Sequence, residues 1–194
     1  ERFVSPRSSG AVHVSLLGVE LRAERVSAAV YDIEGRAVGS AEAAVESERP
    51  APGRHEVWMD RVWDAVRESI GKAVSGVSDP VTAMSVAAEA DVFVPLDASG
   101  VPVAPVVLAD DRRGEVVARD FQESTSPIEV MRLTGMSAGA GRPLVRLLAL
   151  RETDRDAFAK TWKVMDWQSW LVSRLGPEPA TDPSAAGRSQ MFDI

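Results

Sequence analysis

The residue types that most often carry catalysis are scarce in this sequence. It contains no cysteine, which excludes disulfides, thiolate metal sites and cysteine nucleophiles. Its two histidines, His13 and His55, lack the HxxxH or HxH spacing of a metal site, and no cysteine is present to complete one. These residues therefore predict no metal centre and no cysteine nucleophile in this chain.

One glycine-rich segment, Gly135 to Gly141, has the composition of a phosphate-binding loop. As a phosphate cradle it would offer backbone N–H groups to an anion. No Lys-Ser/Thr pair follows it, however, and its spacing is not that of the Walker motif. The ordinary interpretation is a flexible loop.

The tryptophans have two interpretations as well. All five lie on predicted helices, where large aromatic side chains usually pack into the core. Three of them would form a surface for a partner if they were exposed; these are Trp162, Trp167 and Trp170.

Charge and composition limit the class of protein further. The 194 residues include 22 Lys+Arg and 29 Asp+Glu, for a net charge of −7, and 45% are hydrophobic. The acidic balance argues against nucleic acid or an anionic membrane as a partner, since both need a clustered positive surface. No apolar run approaches the ~20 residues of a membrane helix, and the N-terminus lacks the apolar core of a signal peptide. The sequence predicts a soluble cytoplasmic protein.

Three strands are expected near the N-terminus. Residues 11–19 alternate between apolar and polar side chains, which is the period of a strand. The segment from Arg25 to Ile33 is rich in β-formers, and a turn around Gly35 leads into a third strand from Ala37 to Val45. The short connections predict an antiparallel meander.

The hydrophobic period then changes from that of a strand to that of a helix. Apolar residues recur at three- and four-residue steps from Val57 to about Val77, which predicts an amphipathic helix. The segment 81–88 is nearly all small and apolar and predicts a buried strand. A strand, a long helix and another strand indicate a crossover between parallel strands, and hence an α/β domain with a mixed sheet.

The rest of the chain predicts a second hairpin followed by a series of helices. Residues 91–96 and 101–108 flank a turn and predict a second hairpin, in which Pro102 and Pro105 favour an edge position. The spacing from Thr153 to Asp156 fits a capping box, and residues 176–184 predict a loop. Helices are predicted at about 111–121, 127–134, 143–151, 154–161 and 166–175.

The order of motifs along the chain resembles the N-terminal lobe of the FGGY family of carbohydrate kinases. This resemblance implies a ribonuclease H-like fold of the actin/hexokinase ATPase type, with three antiparallel strands followed by parallel strands and crossover helices. Residues 11–194 would form that lobe, cut after Phe192-Asp193, behind a flexible segment 1–10. The motifs are Tyr31-Asp32-Ile33-Glu34-Gly35-Arg36, Pro52-Gly53-Arg54-His55-Glu56, Leu96-Asp97-Ala98-Ser99-Gly100-Val101-Pro102 before Asp110-Asp111-Arg112-Arg113, Leu133-Thr134-Gly135, and the segment from Ala180 to Asp193.

The family resemblance implies ATP and Mg²⁺ as cofactors, held at the turn between the first two strands. Family members carry Asp-x-Gly-Thr there, whereas this chain has Glu20, Arg22 and Ala23 at the three defining positions, followed by Glu24. By resemblance, Glu20, Ala23 and Glu24 are the candidate cofactor-binding residues. A phosphate site needs glycine and a hydroxyl or N–H donor, so the turn is degenerate. The alternative is an ordinary charged hairpin turn.

The resemblance also places a sugar or polyol site in this chain. Glu89, Ala90 and Asp91 stand where relatives contact substrate hydroxyls, and the two carboxylates can accept hydrogen bonds from a polyol. The alternative is that both carboxylates are simply solvated at a strand end. Two tryptophans of the family are replaced by Ala109 and Ala149, which removes stacking surface for a sugar ring.

Asp111 and Arg113 match the family's Asp-x-Arg motif, the best-retained polar position, and are the other candidate substrate-binding residues. The alternative is a helix-starting aspartate that caps its own backbone or pairs with an arginine.

The family's catalytic base lies on a Gly-Asp motif that this chain does not contain. Phosphoryl transfer requires positioning, a metal and an oriented nucleophile together. We therefore expect this chain by itself to be inactive as a kinase. The first hypothesis is a lobe of a sugar kinase whose full-length form reacts weakly or not at all. The second is a non-catalytic domain for sugar binding or protein assembly, either as a homodimer or with the missing C-terminal lobe.

Overall fold

The computed structural model describes residues 14–176 and 178–192, and the predicted flexible segment 1–10 lies outside them. The strands in these ranges are β1 Ser15–Leu21, β2 Arg25–Asp32, β3 Ala37–Ala44, β4 Glu56–Val57, β5 Val81–Ala88, β6 Phe93–Leu96, β7 Val106–Val107 and β8 Lys163–Asp166. The helices are α1 Met59–Val74, α2 Gly114–Ser124, α3 Pro127–Thr134, α4 Pro143–Thr153, α5 Arg155–Lys160, α6 Trp167–Arg174 and α7 Pro183–Ser189.

The main sheet has the strand order β3-β2-β1-β5. Its first three strands form the predicted antiparallel meander, and β5 runs parallel to β1 after the crossover through α1. The β2–β3 turn is tied by the Asp32 carboxylate, which accepts the backbone N–H groups of Glu34 and Arg36. Gly35 has a φ of +81°, which a glycine adopts without strain. Two short pairs, β4–β7 and β6–β8, complete the described sheets.

The hydrophobic core lies between one face of this sheet and α1. Alternate residues of β1 and β2 are buried and pack with the apolar stripe of the helix, as the two periods predict. At Gly39 of β3 the helix comes so close that a Cβ atom would lie 2.2 Å from the carbonyl oxygen of Ala73. The opposite sheet face is open, since Leu16 and Tyr31 are 44% and 40% exposed.

The buried state predicted for residues 81–88 is wrong, although the strand has exactly those bounds. Six of its eight residues are exposed, including Val81 and Met84. The physical reason is its place at the sheet edge, where only β1 lies beside it among the described strands. The small apolar residues therefore predict the strand correctly, but they do not predict whether the strand is buried.

The predicted hairpin of residues 91–108 forms only at its turn. The Asp97 carboxylate accepts the N–H groups of Ser99 and Val101, and a single bridge joins Leu96 to Pro102. Beyond that bridge the arms separate, because β6 pairs with β8 and β7 pairs with β4. Proline lacks the N–H that a longer ladder would need.

Two other local predictions are corrected. The cap of α5 is Asp154, whose side chain accepts the Ala157 N–H, while the Thr153 hydroxyl bonds back to the Ala149 carbonyl. Asp154, one residue further along the chain, thus caps the helix in place of Thr153. The loop predicted at residues 176–184 is shorter than expected, because α7 begins at Pro183 and is capped by Asp182.

The tryptophans do not form one exposed surface. Trp167 and Trp170 are buried, and Trp170 packs edge-on against Trp63 with ring centroids 6.3 Å apart. Trp162 lies between α5 and β8 rather than on a helix and is 66% exposed, and Trp58 precedes α1 and is 42% exposed. The core interpretation therefore holds for part of the set only.

Candidate functional site

The predicted cofactor turn and part of the predicted sugar site lie together at one end of the sheet. Since β1 and β5 are parallel, the turn after β1 and the segment after β5 meet at the same edge. The Ala23 N–H donates to Glu89 Oε2 at 3.1 Å, and the Glu89 N–H donates to the Leu21 carbonyl at 2.9 Å. Glu89 therefore fastens the turn to the end of β5 by two hydrogen bonds.

Of the two acidic residues of the turn, Glu20 is paired with a basic neighbour and Glu24 is exposed. The Glu20 carboxylate and the Arg22 guanidinium form an exposed pair at 2.7 Å. The Arg22 hydrogen bond lowers the pKa of Glu20 below its usual range, so Glu20 stays ionised. Glu24 is exposed, and its carbonyl accepts the Val45 N–H of the strand pair.

These residues do not fit the phosphates of ATP. An anion site in a turn needs free backbone N–H groups or hydroxyls that converge on the ligand. Here Ala23 has no hydroxyl and its N–H is bound to Glu89, while Glu20 and Glu24 add negative charge. The turn is therefore built as a charged hairpin turn closed by an internal carboxylate.

Asp91 lies at the centre of an arginine cluster beside this turn. Its φ is +63°, a left-handed conformation that aspartate tolerates. Arg142 contacts its carboxylate at 3.0 Å and Arg188 at 2.7 Å, and each arginine touches both oxygens. A carboxylate has about four acceptor positions. These two arginines use them all, so Asp91 is not simply solvated.

The residues that follow β5 line a cavity of about 460 Å³. Its other walls come from β8, the start of α6 and α7, and they include Lys163, Asp166, Asp182 and Arg188. We call this cavity the cleft. Ala90 lies in its wall and offers no polar side-chain atom.

Arg146 joins the cleft to a second cluster of charges. It is only 4% exposed and donates to the carbonyls of Asp91 at 2.9 Å, Val107 at 2.8 Å and Leu108 at 3.2 Å. Burial lowers the pKa of Arg146, and the nearby carboxylates of Asp91, Asp111 and Glu89 act in the opposite direction.

Asp111 and Arg113 form the core of the second cluster. The Asp111 side chain is fully buried and accepts the backbone N–H of His55 at 2.7 Å, that of Arg113 at 2.9 Å, and the Arg113 guanidinium at 2.7 Å. Burial acts to raise the pKa of Asp111, but these donors outweigh it and the pKa is lowered. Arg113 also pairs with Glu56 at 2.5 Å. These contacts form a buried ion pair in which the Asp111 carboxylate also accepts two backbone N–H groups.

A second cavity, of about 250 Å³, adjoins this ion pair and is also lined by Trp58 and Arg146. Of the two positions where tryptophan was expected, Ala149 is buried at this cavity and Ala109 is exposed. The structure therefore divides the predicted substrate residues between the two cavities, with Glu89, Ala90 and Asp91 in one and Asp111 and Arg113 in the other.

The glycine-rich loop also contains a Gly-x-Ser-x-Gly spacing, from Gly135 to Gly139. A nucleophile elbow of that pattern sits on a strand-to-helix turn. Here the segment follows α3, which ends at Gly135 with a φ of +70°, and leads to α4. The context is a helix-to-helix connection and does not form an elbow.

Sequence reasoning missed the arginines that hold these clusters, namely Arg142, Arg146 and Arg188. One signal was available: Arg142 and Arg146 lie at the start of α4, whose first turn contains no acidic residue. Cations are unfavourable near a helix N-terminus, so arginines there need partners elsewhere in the fold. No comparable signal marked Arg188, which is 97 residues from Asp91.

Two other properties of the described ranges bear on function. Within residues 14–176 and 178–192, no three His, Cys, Asp or Glu side chains are grouped closely enough to hold a metal ion. In that same part of the chain, every helix is too short or too polar to cross a membrane.

The sequence model of the FGGY family of carbohydrate kinases, N-terminal domain, matches residues 15–194. The L-xylulose/3-keto-L-gulonate kinase of Escherichia coli (strain K12) is 27% identical over 181 residues, which are 92% of this chain and 36% of that protein. The xylulose kinase of Staphylococcus xylosus is 22% identical over 180 residues, 92% of this chain and 37% of that protein. The chain thus spans little more than a third of the length of these relatives.

Solved structures agree on the fold. The chain resembles a gluconate kinase from Lactobacillus acidophilus with a TM-score of 0.86 and 19% identity, covering 93% of this chain and 37% of that one. It resembles a xylulose kinase from Rhodospirillum rubrum with a TM-score of 0.87 and 17% identity, covering 93% and 38%. These neighbours confirm the predicted fold class, a mixed sheet of the actin/hexokinase type.

Proposed function

Because this chain belongs to the FGGY family of carbohydrate kinases, we propose that it is the sugar- or polyol-binding lobe of such a protein and that its β1–β2 turn does not hold the phosphates of ATP. The observation that carries the second part is the hydrogen bond from the Ala23 N–H to Glu89. Phosphorylation of a sugar by the whole protein would then be weak or absent, because family catalysis depends on a positioned phosphate.

The cleft supports the sugar-binding part of the proposal. Its volume of about 460 Å³ suits a small ligand. Lys163 and Arg188 supply N–H donors at its wall, and Glu89 keeps its Oε1 oxygen as an acceptor because only Oε2 binds the turn. Sugar hydroxyl groups both donate and accept, so mixed charged donors and acceptors are a suitable lining. Because these relatives are kinases of xylulose and of L-xylulose or 3-keto-L-gulonate, ketopentoses such as xylulose are the first ligands to test.

The first prediction is that a ketopentose or polyol raises the melting temperature whereas ATP·Mg²⁺ does not. At a ligand concentration of about 100 times Kd, binding adds roughly 2.7 kcal/mol of stability. For a chain of this size that corresponds to a shift of several degrees. Differential scanning fluorimetry with a panel of pentoses, pentuloses and polyols, each with and without ATP·Mg²⁺, measures both effects.

Arg188→Leu is the matched variant for this test, because it removes a donor from the cleft while Arg142 still pairs with Asp91. We expect it to abolish the sugar shift. Arg132→Leu is the control, since Arg132 also pairs with a carboxylate at 2.9 Å but is exposed on α3. A metal-dependent shift with ATP alone would contradict the interpretation of the turn, and no shift with any sugar would contradict the interpretation of the cleft.

Protein assembly is a second candidate function, and the open edge of β5 favours it. The strand carries no charged residue and no proline, which are the usual protections of an edge strand. Val81 and Met84 are 38% and 40% exposed there. We propose a second copy of this chain as the occupant, because two identical edges can pair about a twofold axis.

The second prediction is that the chain self-associates and that Met84→Lys weakens the association. In a pair of β5 strands the new lysine would face the same lysine of the second copy. This contact between like charges costs free energy. Sedimentation equilibrium over a range of concentrations measures the effect. Met131→Lys is the control, since Met131 is similarly exposed on α3. A monomer at high concentration for the unaltered chain would rule out this assembly.

A further inference from the structure

A group of three polar side chains outside the cleft consists of Ser47, His55 and Asp110. His55 Nε2 lies 2.8 Å from Ser47 Oγ, and His55 Nδ1 is hydrogen-bonded to a carboxylate oxygen of Asp110. His55 is only 4% exposed, whereas Ser47 is partly exposed. Hydroxyl, imidazole and carboxylate in this order form the arrangement that activates a serine as a nucleophile.

Backbone pairing holds all three residues in place. Glu48 and Glu56 exchange two hydrogen bonds, of 2.7 and 2.9 Å, which fix Ser47 beside His55. The His55 carbonyl accepts the Leu108 N–H at 2.9 Å, which fixes Asp110 two residues further on. The side chains therefore meet because three chain segments are paired, and the contact does not depend on flexible side chains alone.

The charge on Asp110 determines the direction of the hydrogen bonds. Arg49 contacts the second carboxylate oxygen at 2.6 Å. Its hydrogen bond and that of His55 lower the pKa of Asp110 to about 2. An ionised Asp110 can only accept, so the neutral imidazole carries its proton on Nδ1 and leaves Nε2 free to accept the Ser47 hydroxyl proton.

We propose that Ser47 is a nucleophile that takes up the acyl group of small carboxylic esters, with His55 as its base and Asp110 as a positioning residue. In the first step Ser47 Oγ bonds to the ester carbonyl carbon and His55 Nε2 takes the hydroxyl proton. The ester C–O bond then breaks, and His55 returns that proton to the leaving alcohol. Water hydrolyses the acyl-serine by the same exchange of a proton with His55.

The surroundings of Ser47 define the substrate class. Ser47 lines neither the cleft nor the second cavity, so a substrate would meet it from the open surface rather than from inside either of these cavities. Among the hydrogen bonds of the described residues, the Ser47 N–H donates to no protein acceptor. It can therefore donate to the oxyanion of the intermediate, as the nucleophile's own N–H does in serine hydrolases. Acetyl esters with a good leaving group fit this open site.

The third prediction is a burst of p-nitrophenolate when the chain meets p-nitrophenyl acetate, with the acetyl group attached to Ser47. Peptide mapping by mass spectrometry of the unaltered chain locates the acetyl group, and this readout does not depend on how any variant folds. The proposal is wrong if Ser47 remains unmodified while only lysines are acetylated.

Variants separate a nucleophile from a serine with a structural role. Ser47→Ala should remove the burst, and Ser40→Ala, which alters an exposed serine of β3, should retain it. Asp110→Asn should lower the acylation rate at least tenfold with the Michaelis constant unchanged, and Asp110→Glu should recover part of the rate. Equal bursts from the unaltered chain and Ser47→Ala would overturn the proposal.

Discussion

Replacing Asp111 with alanine is expected to lower the free energy of unfolding by about 3 kcal/mol or more. The side chain is fully buried and binds the Arg113 guanidinium together with two backbone N–H groups. Removing it leaves those two N–H groups without an acceptor and leaves Glu56 as the one ionic partner of Arg113 among the described residues. Each unsatisfied buried donor costs about 1–3 kcal/mol, so the losses accumulate.

Urea denaturation followed by circular dichroism measures this change. Asp64→Ala is the control, because Asp64 also contacts an arginine at 2.7 Å, but both partners are more than 60% exposed on α1. An exposed pair contributes about 0–1 kcal/mol, so the control should be nearly neutral. Equal and small effects of the two variants would show that burial of Asp111 does not contribute to stability.

The second large effect is expected when Gly39 is replaced with alanine. This change should lower the free energy of unfolding by about 3 kcal/mol. The added Cβ would lie 2.2 Å from the Ala73 carbonyl oxygen and 3.1 Å from a Val77 methyl group. The first contact is with backbone, so either β3 or the end of α1 must move. That movement disturbs the packing of α1 on the sheet, which contains most of the core.

Two other glycines serve as matched controls for Gly39. Gly18 lies in β1, where a Cβ would meet only the Ala29 carbonyl oxygen at an ordinary 3.9 Å. Gly71 lies on the exposed side of α1 with nothing within 4 Å, so alanine there should stabilise the helix by about 0.5–1 kcal/mol. Thermal denaturation of the three variants should give a large loss only at Gly39. A loss at Gly39 no larger than that at Gly18 would contradict the close approach.

Local signals account for the parts of the fold that the sequence predicts well. The meander follows from alternating residues and a turn at Gly35, and the crossover helix follows from its apolar stripe. The α3 helix has its predicted bounds, with proline at its start and Gly135 at its end. In each case the determining residues lie within a few positions of one another.

The unpredicted parts depend on residues that are distant in sequence. Whether β5 is buried depends on what lies beside it, and β6 pairs with a strand about seventy residues away rather than with its neighbour. Asp91 is 51 residues from Arg142 and 97 from Arg188. His55 and Asp110 are 55 residues apart, and no local spacing reveals such a contact.

The bond between Ala23 and Glu89 also restricts how the turn could change over generations. A substitution of Ala23 by threonine would supply a hydroxyl but leave the backbone N–H bound to Glu89. A substitution of Glu89 alone would release the N–H but leave the turn without that hydroxyl. Because the two positions share one contact, their effects should not add. A turn that offers both a hydroxyl and a free N–H at position 23 would therefore need paired changes 66 residues apart, and either change alone would supply only one of the two groups.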